Sequence, residues 1–307
     1  MLSEKMFWVG VLIGSISAGA IGIYQHSILN IYRPFGETNN PIVYGNVSIC
    51  LAMISLVGFL SFNKGSILRK SIFMIGVISG LVASLLSGAR GGWIALPIVF
   101  TYWLWVNRDT LGKYKQISII LVFTLAIVLL FQFEKIGISD RFNQAVNDVK
   151  ELVFENNKQT SIGVRIEMIR ATWLIFKENP WLGSGPDTFI QQTNKLELEK
   201  KVVFLNDQLA HPHNEFLNMM YSRGIVGLVI VLLIFGSPLI YFTKQYAIYK
   251  SPYALSGAII PLCYIVFSLS EAILDRMLSL MFFLMIMTFI SNLNFQYCNR
   301  LDEKSTH

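Results

Sequence analysis

Long apolar runs separated by short polar connections dominate the chain. They fall at roughly 6–24, 42–62, 71–87, 93–106, 116–133, 224–243, 253–270 and 277–293. Most approach the length of a bilayer crossing. Backbone polar groups in lipid must be satisfied within their own segment, so the pattern predicts an all-α, polytopic integral membrane bundle of about eight spans. The fourth run is short and contains Pro97, which predicts a tilted, kinked or half-inserted helix. The first run also admits a signal-peptide reading, since Lys5 precedes it and Ala18-Gly19-Ala20 resembles a cleavage site. On either reading residue 25 emerges on the far side.

One polar segment, 134–213, interrupts the series and is too long for an idle connection. The chain therefore divides into spans 1–5 (1–133), a large loop (134–213) and spans 6–8 with a tail (214–307). Within the loop, 161–179 reads as a helix. Ser161 is a candidate N-cap, apolar residues recur at Ile162, Ile166, Ile169, Trp173 and Phe176, and Asn179-Pro180 stops it. Such an amphipathic helix could rest on a bilayer surface or roof the bundle.

Composition agrees with this pattern. The 307 residues are 53% hydrophobic and only 14% charged, against roughly 25% charged in soluble domains. A formal charge of +6 raises the question of nucleic acid, but its distribution argues against that partner. The long segment is nearly balanced, and the excess lies in short connections and termini. Counting alternate short connections places eleven Lys/Arg on the side of both termini and three on the other. The positive-inside rule then puts both termini in the cytoplasm and the long loop outside, on the periplasmic or extracellular side. Arg33, Arg90, Arg165, His211, His213 and Arg276 fall on that outer side. A substrate must there bring its own energy, as a preassembled lipid-linked donor does.

The candidate chemistry gathers at 211–227, where the polar loop meets an apolar run. His211 and His213 are half of the chain's four histidines, and Asn214 and Glu215 follow. A histidine held at a membrane boundary could act as general base, with Asn214 orienting it; equally, these residues could cap a transmembrane helix. Ser87-Gly88-Ala89-Arg90-Gly91-Gly92 sets one arginine among small residues. It could cradle an anion with backbone amides and a guanidinium fork, or make a tight turn between helices. Arg33 reads as a phosphate contact or an interface anchor. Arg165 and Arg170 could equally be solvated. Glu271, Asp275 and Arg276 are a charge cluster or a structural ion pair. Leu182-Gly183-Ser184-Gly185-Pro186 lacks the lysine of a Walker loop, so no nucleotide site is read there. Cys50, Cys263 and Cys298 lie apart in apolar or tail sequence and encode neither a disulfide framework nor a metal cluster.

With these residues in view, the chain resembles the O-antigen ligase and polymerase superfamily of bacterial envelope glycosyltransferases. His213-Asn214, nine residues, Gly224, two residues and Gly227 are similar to the signature closing the ligases' large periplasmic loop. The Arg90 stretch, Gly163-Val164-Arg165 and Leu182-Gly183-Ser184-Gly185 are similar to further motifs of the family. The resemblance implies a GT-C-like, metal-independent, inverting membrane glycosyltransferase without cofactor. Its donor would be a glycan on undecaprenyl pyrophosphate and, for a ligase, its acceptor the lipid A–core oligosaccharide. Carried over by motif, His213 would be the catalytic base and Arg90 and Arg165 would hold the pyrophosphate, with Asn214, His211 and Arg33 in support. The family commonly has more spans than the eight counted here, and the difference would lie N-terminally. A polymerase sharing the donor is the alternative. A polysaccharide transporter predicts midplane charges, whereas these gather at the interface.

Overall fold

The computed structural model describes residues 4–62, 66–112, 114–118, 120–121, 147, 150–151, 160–203 and 211–305. No strand occurs among the described residues, as the apolar runs predict. Five helices there are long and apolar enough to cross a membrane: α1 (Glu4–Ser27), α2 (Pro41–Ser61), α3 (Ile67–Ser87), α8 (Glu215–Tyr249) and α10 (Met277–Ser305, apolar to Lys304). Between them stand α4 (Arg90–Trp93), α5 (Ala95–Val106), α6 (Ser161–Glu178), α7 (Phe189–Leu198) and α9 (Pro252–Ser268). The protein is a helical membrane protein. Of the eight expected spans, five are matched by these helices among the described residues, and α9, at 17 residues, and α5, at 12, are shorter apolar helices. Most of the expected 116–133 span, the 133/134 boundary and much of 134–159 lie outside the described residues.

The described chain forms two compact units, Met1–Thr101 with Leu232–His307, and Tyr102–Val231. In the first, helix starts follow local chemistry. Asn40 caps α2 by accepting from the amides of Ile42 (2.8 Å) and Val43 (3.3 Å), and Pro41 occupies the first turn, where no amide donor is required. Ser251 caps α9 in the same way, followed by Pro252. α1, α2 and α3 approach closely because small residues face one another. A Cβ on Gly80 would lie 2.7 Å from Ser15 Oγ and 2.7 Å from the Ser48 carbonyl, and Ser15 Oγ donates to the Gly76 carbonyl at 2.7 Å. Lipid supplies no hydrophobic drive between helices, so such contacts do the packing.

The two ends of this unit differ. At one, Trp8 packs edge-on against Phe62 and Phe73 and donates to Tyr253 OH at 3.2 Å. Glu4 pairs with Arg300, and Tyr249 OH donates to Asp302 at 3.1 Å, so both chain termini meet at this end. At the other end Gln25 Oε1 accepts from the amides of Phe35 (3.0 Å) and Gly36 (2.9 Å), holding the α1–α2 connection against α1.

The second unit has a small core of Ala171, Ile175, Phe189, Leu196, Val202 and Tyr221, which pins α6 to α7 and to the start of α8. Two expectations for α6 need correction. Its cap is Thr160, not Ser161, with Thr160 Oγ1 accepting from the Gly163 amide at 3.1 Å. The apolar stripe read from the sequence is also not the face the helix buries. Met168, Ala171 and Ile175 face the core, while Ile166, Ile169 and Trp173 point outward.

Candidate functional site

The geometry of 211–227 follows from one break in a helix. At Gly224 (φ 62°, ψ −155°) the chain of α8 leaves helical conformation, in a region of backbone space open essentially to glycine. The break frees carbonyls before it and amides after it, and these need partners near lipid. The loop after α6 supplies them. The Ser184 and Gly185 amides donate to the carbonyls of Tyr221 (2.8 Å) and Ser222 (3.0 Å), and the Ile225 and Val226 amides donate to those of Pro180 (2.8 Å) and Trp181 (3.5 Å). The two segments come so close that side chains are excluded. A Cβ on Gly183 (φ 72°) would fall on the backbone of Ser222 and Arg223, and one on Gly224 would fall on the Trp181 carbonyl. The glycines of the two sequence motifs are therefore two halves of one clasp.

Just before this clasp stand the polar residues. Asn214 Oδ1 accepts from the Leu217 amide at 3.0 Å, capping α8. His213 adopts a left-handed backbone (φ 45°), and its amide donates to His211 Nδ1 at 3.2 Å. That nitrogen of His211 is thus the acceptor and unprotonated, leaving Nε2 to carry the ring proton. The two imidazoles are neighbours, with ring centroids 4.5 Å apart, and both are half-buried. Glu215 is fully buried in the first turn, where the helix dipole favours a carboxylate.

Arg165 lies exposed one turn into α6. Arg170 is 3.8 Å from Glu167, a buried acid missed in the sequence reading, whose Oε2 accepts from the Val203 amide at 3.0 Å. Only the acid's position on the face opposite the apolar stripe could have flagged it. At the far end of α7, a hydrogen bond from Lys201 draws the Glu199 carboxyl below its usual range and raises the lysine in turn.

Arg90 and Arg33 belong to the other unit. Gly88 (φ 66°) ends α3 in left-handed conformation, and Arg90, half-buried, opens the turn that follows. Arg33 Nε donates to the Ser87 carbonyl at 3.0 Å and Nη2 to that of Gly88 at 3.4 Å. It neutralises the carbonyl end of α3 and steadies the turn that carries Arg90. Gly91 and Gly92 make room for Ser270 and Asn46: a Cβ on Gly91 would lie 2.6 Å from Ser270 Oγ, and one on Gly92 would fall on Asn46 Oδ1. Packing thus accounts for these glycines. Asn46, a buried polar residue within an apolar run, was the sequence signal for this contact. Glu271 and Arg276 form an ion pair at 3.2 Å, with the acid buried.

The structure thus brings His211, His213 and Asn214 together in one unit that also carries Arg165, and joins Arg33 to the Arg90 turn in the other. A family model described as O-Antigen ligase matches residues 75–232. That stretch contains Arg90, Arg165, His211, His213 and Asn214 and leaves Arg33 outside. An uncharacterized protein of Haemophilus influenzae is 30% identical over 245 residues, covering 80% of this chain and 61% of that one. The O-antigen ligase of Salmonella typhimurium is 25% identical over 188 residues, covering 60% of this chain and 42% of that protein. The chain therefore spans less than two thirds of either relative. The family match covers just over half of the chain, from the middle of α3 through the clasp into α8, and on that ground this protein belongs to the O-antigen ligase family.

Proposed function

We propose that this chain acts as an O-antigen ligase at the periplasmic face of the bacterial inner membrane, transferring a glycan from undecaprenyl pyrophosphate to the lipid A–core oligosaccharide. The observation that carries the reading is the placement of His213. Its backbone is held in left-handed conformation by the His211 ring, directly before the capped and clasped start of a membrane helix. An imidazole on so constrained a backbone is suited to meet an acceptor hydroxyl at a fixed depth.

In this mechanism His213 takes the proton of the acceptor hydroxyl as its oxygen attacks the anomeric carbon. The new glycosidic bond forms while the bond from that carbon to the pyrophosphate oxygen breaks, with inversion. The leaving undecaprenyl pyrophosphate carries away the bonding electron pair. Arg90 and Arg165 stabilise that growing negative charge, a role for fixed cations in a site with little water. Arg33 supports Arg90 through the Ser87–Gly88 carbonyls, and His211 supports His213 through its amide. The polymerase alternative differs only in the acceptor.

The test is complementation in two bacterial hosts, one lacking its ligase and one its polymerase, with lipopolysaccharide resolved on gels. A ladder restored only in the ligase-deficient host, and lost by His213→Ala at normal membrane abundance, is the expected result. Removing a general base costs about 10²–10⁴ in rate, enough to empty the ladder. Restoration only in the polymerase-deficient host would assign the polymerase reaction instead. Full transfer by His213→Ala would remove His213 as base.

A further inference from the structure

Helix α6 carries apolar side chains on two opposite faces, and among the described residues its own unit covers only one. Met168, Ala171 and Ile175 are buried. On the other side Ile166, Ile169 and Trp173 are 46%, 51% and 48% exposed, and Phe176 stacks on Trp173 with ring centroids 5.6 Å apart. Apolar surface left in water costs free energy in proportion to its area, so this stripe calls for an apolar neighbour.

Two observations identify that neighbour as lipid. The stripe has cations along both edges: Arg165 on one, Arg170 and Lys177 on the other, all exposed. Lys177 Nζ sits over the Trp173 ring, 5.2 Å from its centre, so a cation borders the apolar face directly. An apolar stripe bordered by cations complements the boundary between acyl chains and phosphate headgroups. The second observation sets the depth. Trp181 and Leu182, just past α6, are 72% and 77% exposed. The Pro180 and Trp181 carbonyls accept from Ile225 and Val226, where the apolar part of α8 begins. Val226, Val229 and Ile230 on that helix are exposed as well, as lipid-facing residues of a span must be. The exit of α6 is thus tied by backbone hydrogen bonds to the point where a membrane helix enters lipid.

We propose that the outward face of α6, with Ile166, Ile169, Trp173 and Phe176, lies in the headgroup–acyl boundary of the membrane, and that Arg170 and Lys177 reach its phosphates. This stands or falls separately from the glycan-transfer reading, since it needs only that the protein is in a bilayer.

The test uses the full chain in nanodiscs of phosphatidylcholine and phosphatidylglycerol, with a nitroxide on Ile169→Cys, on Trp173→Cys and, as a control, on Lys195→Cys of α7. Cys50, Cys263 and Cys298 are buried, and wild-type protein taken through the labelling sets the background. Labels at 169 and 173 are expected to collide more with oxygen than with an aqueous nickel chelate, at a depth of about 5–10 Å below the headgroups. The label at 195 should show the reverse. Nickel access at 169 and 173 equal to that at 195 would overturn the proposal. Shielding of both labels from both reagents would overturn it too, by placing protein over the stripe. Trp173→Phe in the otherwise native chain gives an independent readout. Quenching of tryptophan fluorescence by brominated lipid should fall, and unchanged quenching would count against lipid contact even if a cysteine variant misfolded.

Discussion

Gly224→Ala tests the clasp most directly. Glycine there has φ 62° and ψ −155°, and a side chain in that region costs about 1–3 kcal/mol in backbone strain alone. The added methyl also lands on the Trp181 carbonyl, with the Pro180 carbonyl 2.7 Å away, both of them backbone and not the yielding end of a side chain. The loop must withdraw, which releases the Ser184–Tyr221, Gly185–Ser222 and Ile225–Pro180 hydrogen bonds and the longer Val226–Trp181 contact. At a net value of about 1 kcal/mol for each of the three good bonds, added to the strain, the expected local loss is about 4–6 kcal/mol. Hydrogen exchange with mass spectrometry in detergent reads this at the amides involved. Peptides covering 180–190 and 219–228 should exchange about a thousandfold to ten-thousandfold faster than in the wild type, while 41–61 keeps its protection. Gly236→Ala is the matched control. It lies in the same helix with nothing within 4 Å of the added Cβ, so it should be neutral or stabilising by about 0.5–1 kcal/mol. Wild-type protection in Gly224→Ala would refute the argument that the break and the loop require each other.

Arg90→Lys should lower transfer while membrane abundance stays normal, because a point charge replaces a planar fork that can bind two phosphate oxygens at once; wild-type transfer would reduce Arg90 to an anchor. Ile175→Ala should loosen the α6–α7 core by about 2–5 kcal/mol, seen as faster proteolysis within 160–203, and resistance equal to the wild type would mean that this core does not hold the unit together. A reporter fused at residue 175 should read as periplasmic, and a cytoplasmic readout would reverse the topology and remove the case for a lipid-linked donor.

Helix positions were largely legible in the sequence because each apolar run in lipid must satisfy its own backbone, so hydropathy and helix coincide. The caps were partly legible: the cap of α6 moved from Ser161 to Thr160, since either hydroxyl fits the local pattern. Other features depended on partners distant in sequence. Periodicity marks an apolar stripe on α6 but cannot say which of two apolar faces the core takes. That depends on Phe189, Leu196, Val202 and Tyr221, which lie 14 or more residues beyond Ile175. Likewise the sequence presents Gly183 and Gly224 as members of separate motifs, 41 positions apart. Their common cause is the contact between two backbones, a long-range approach that no local pattern encodes.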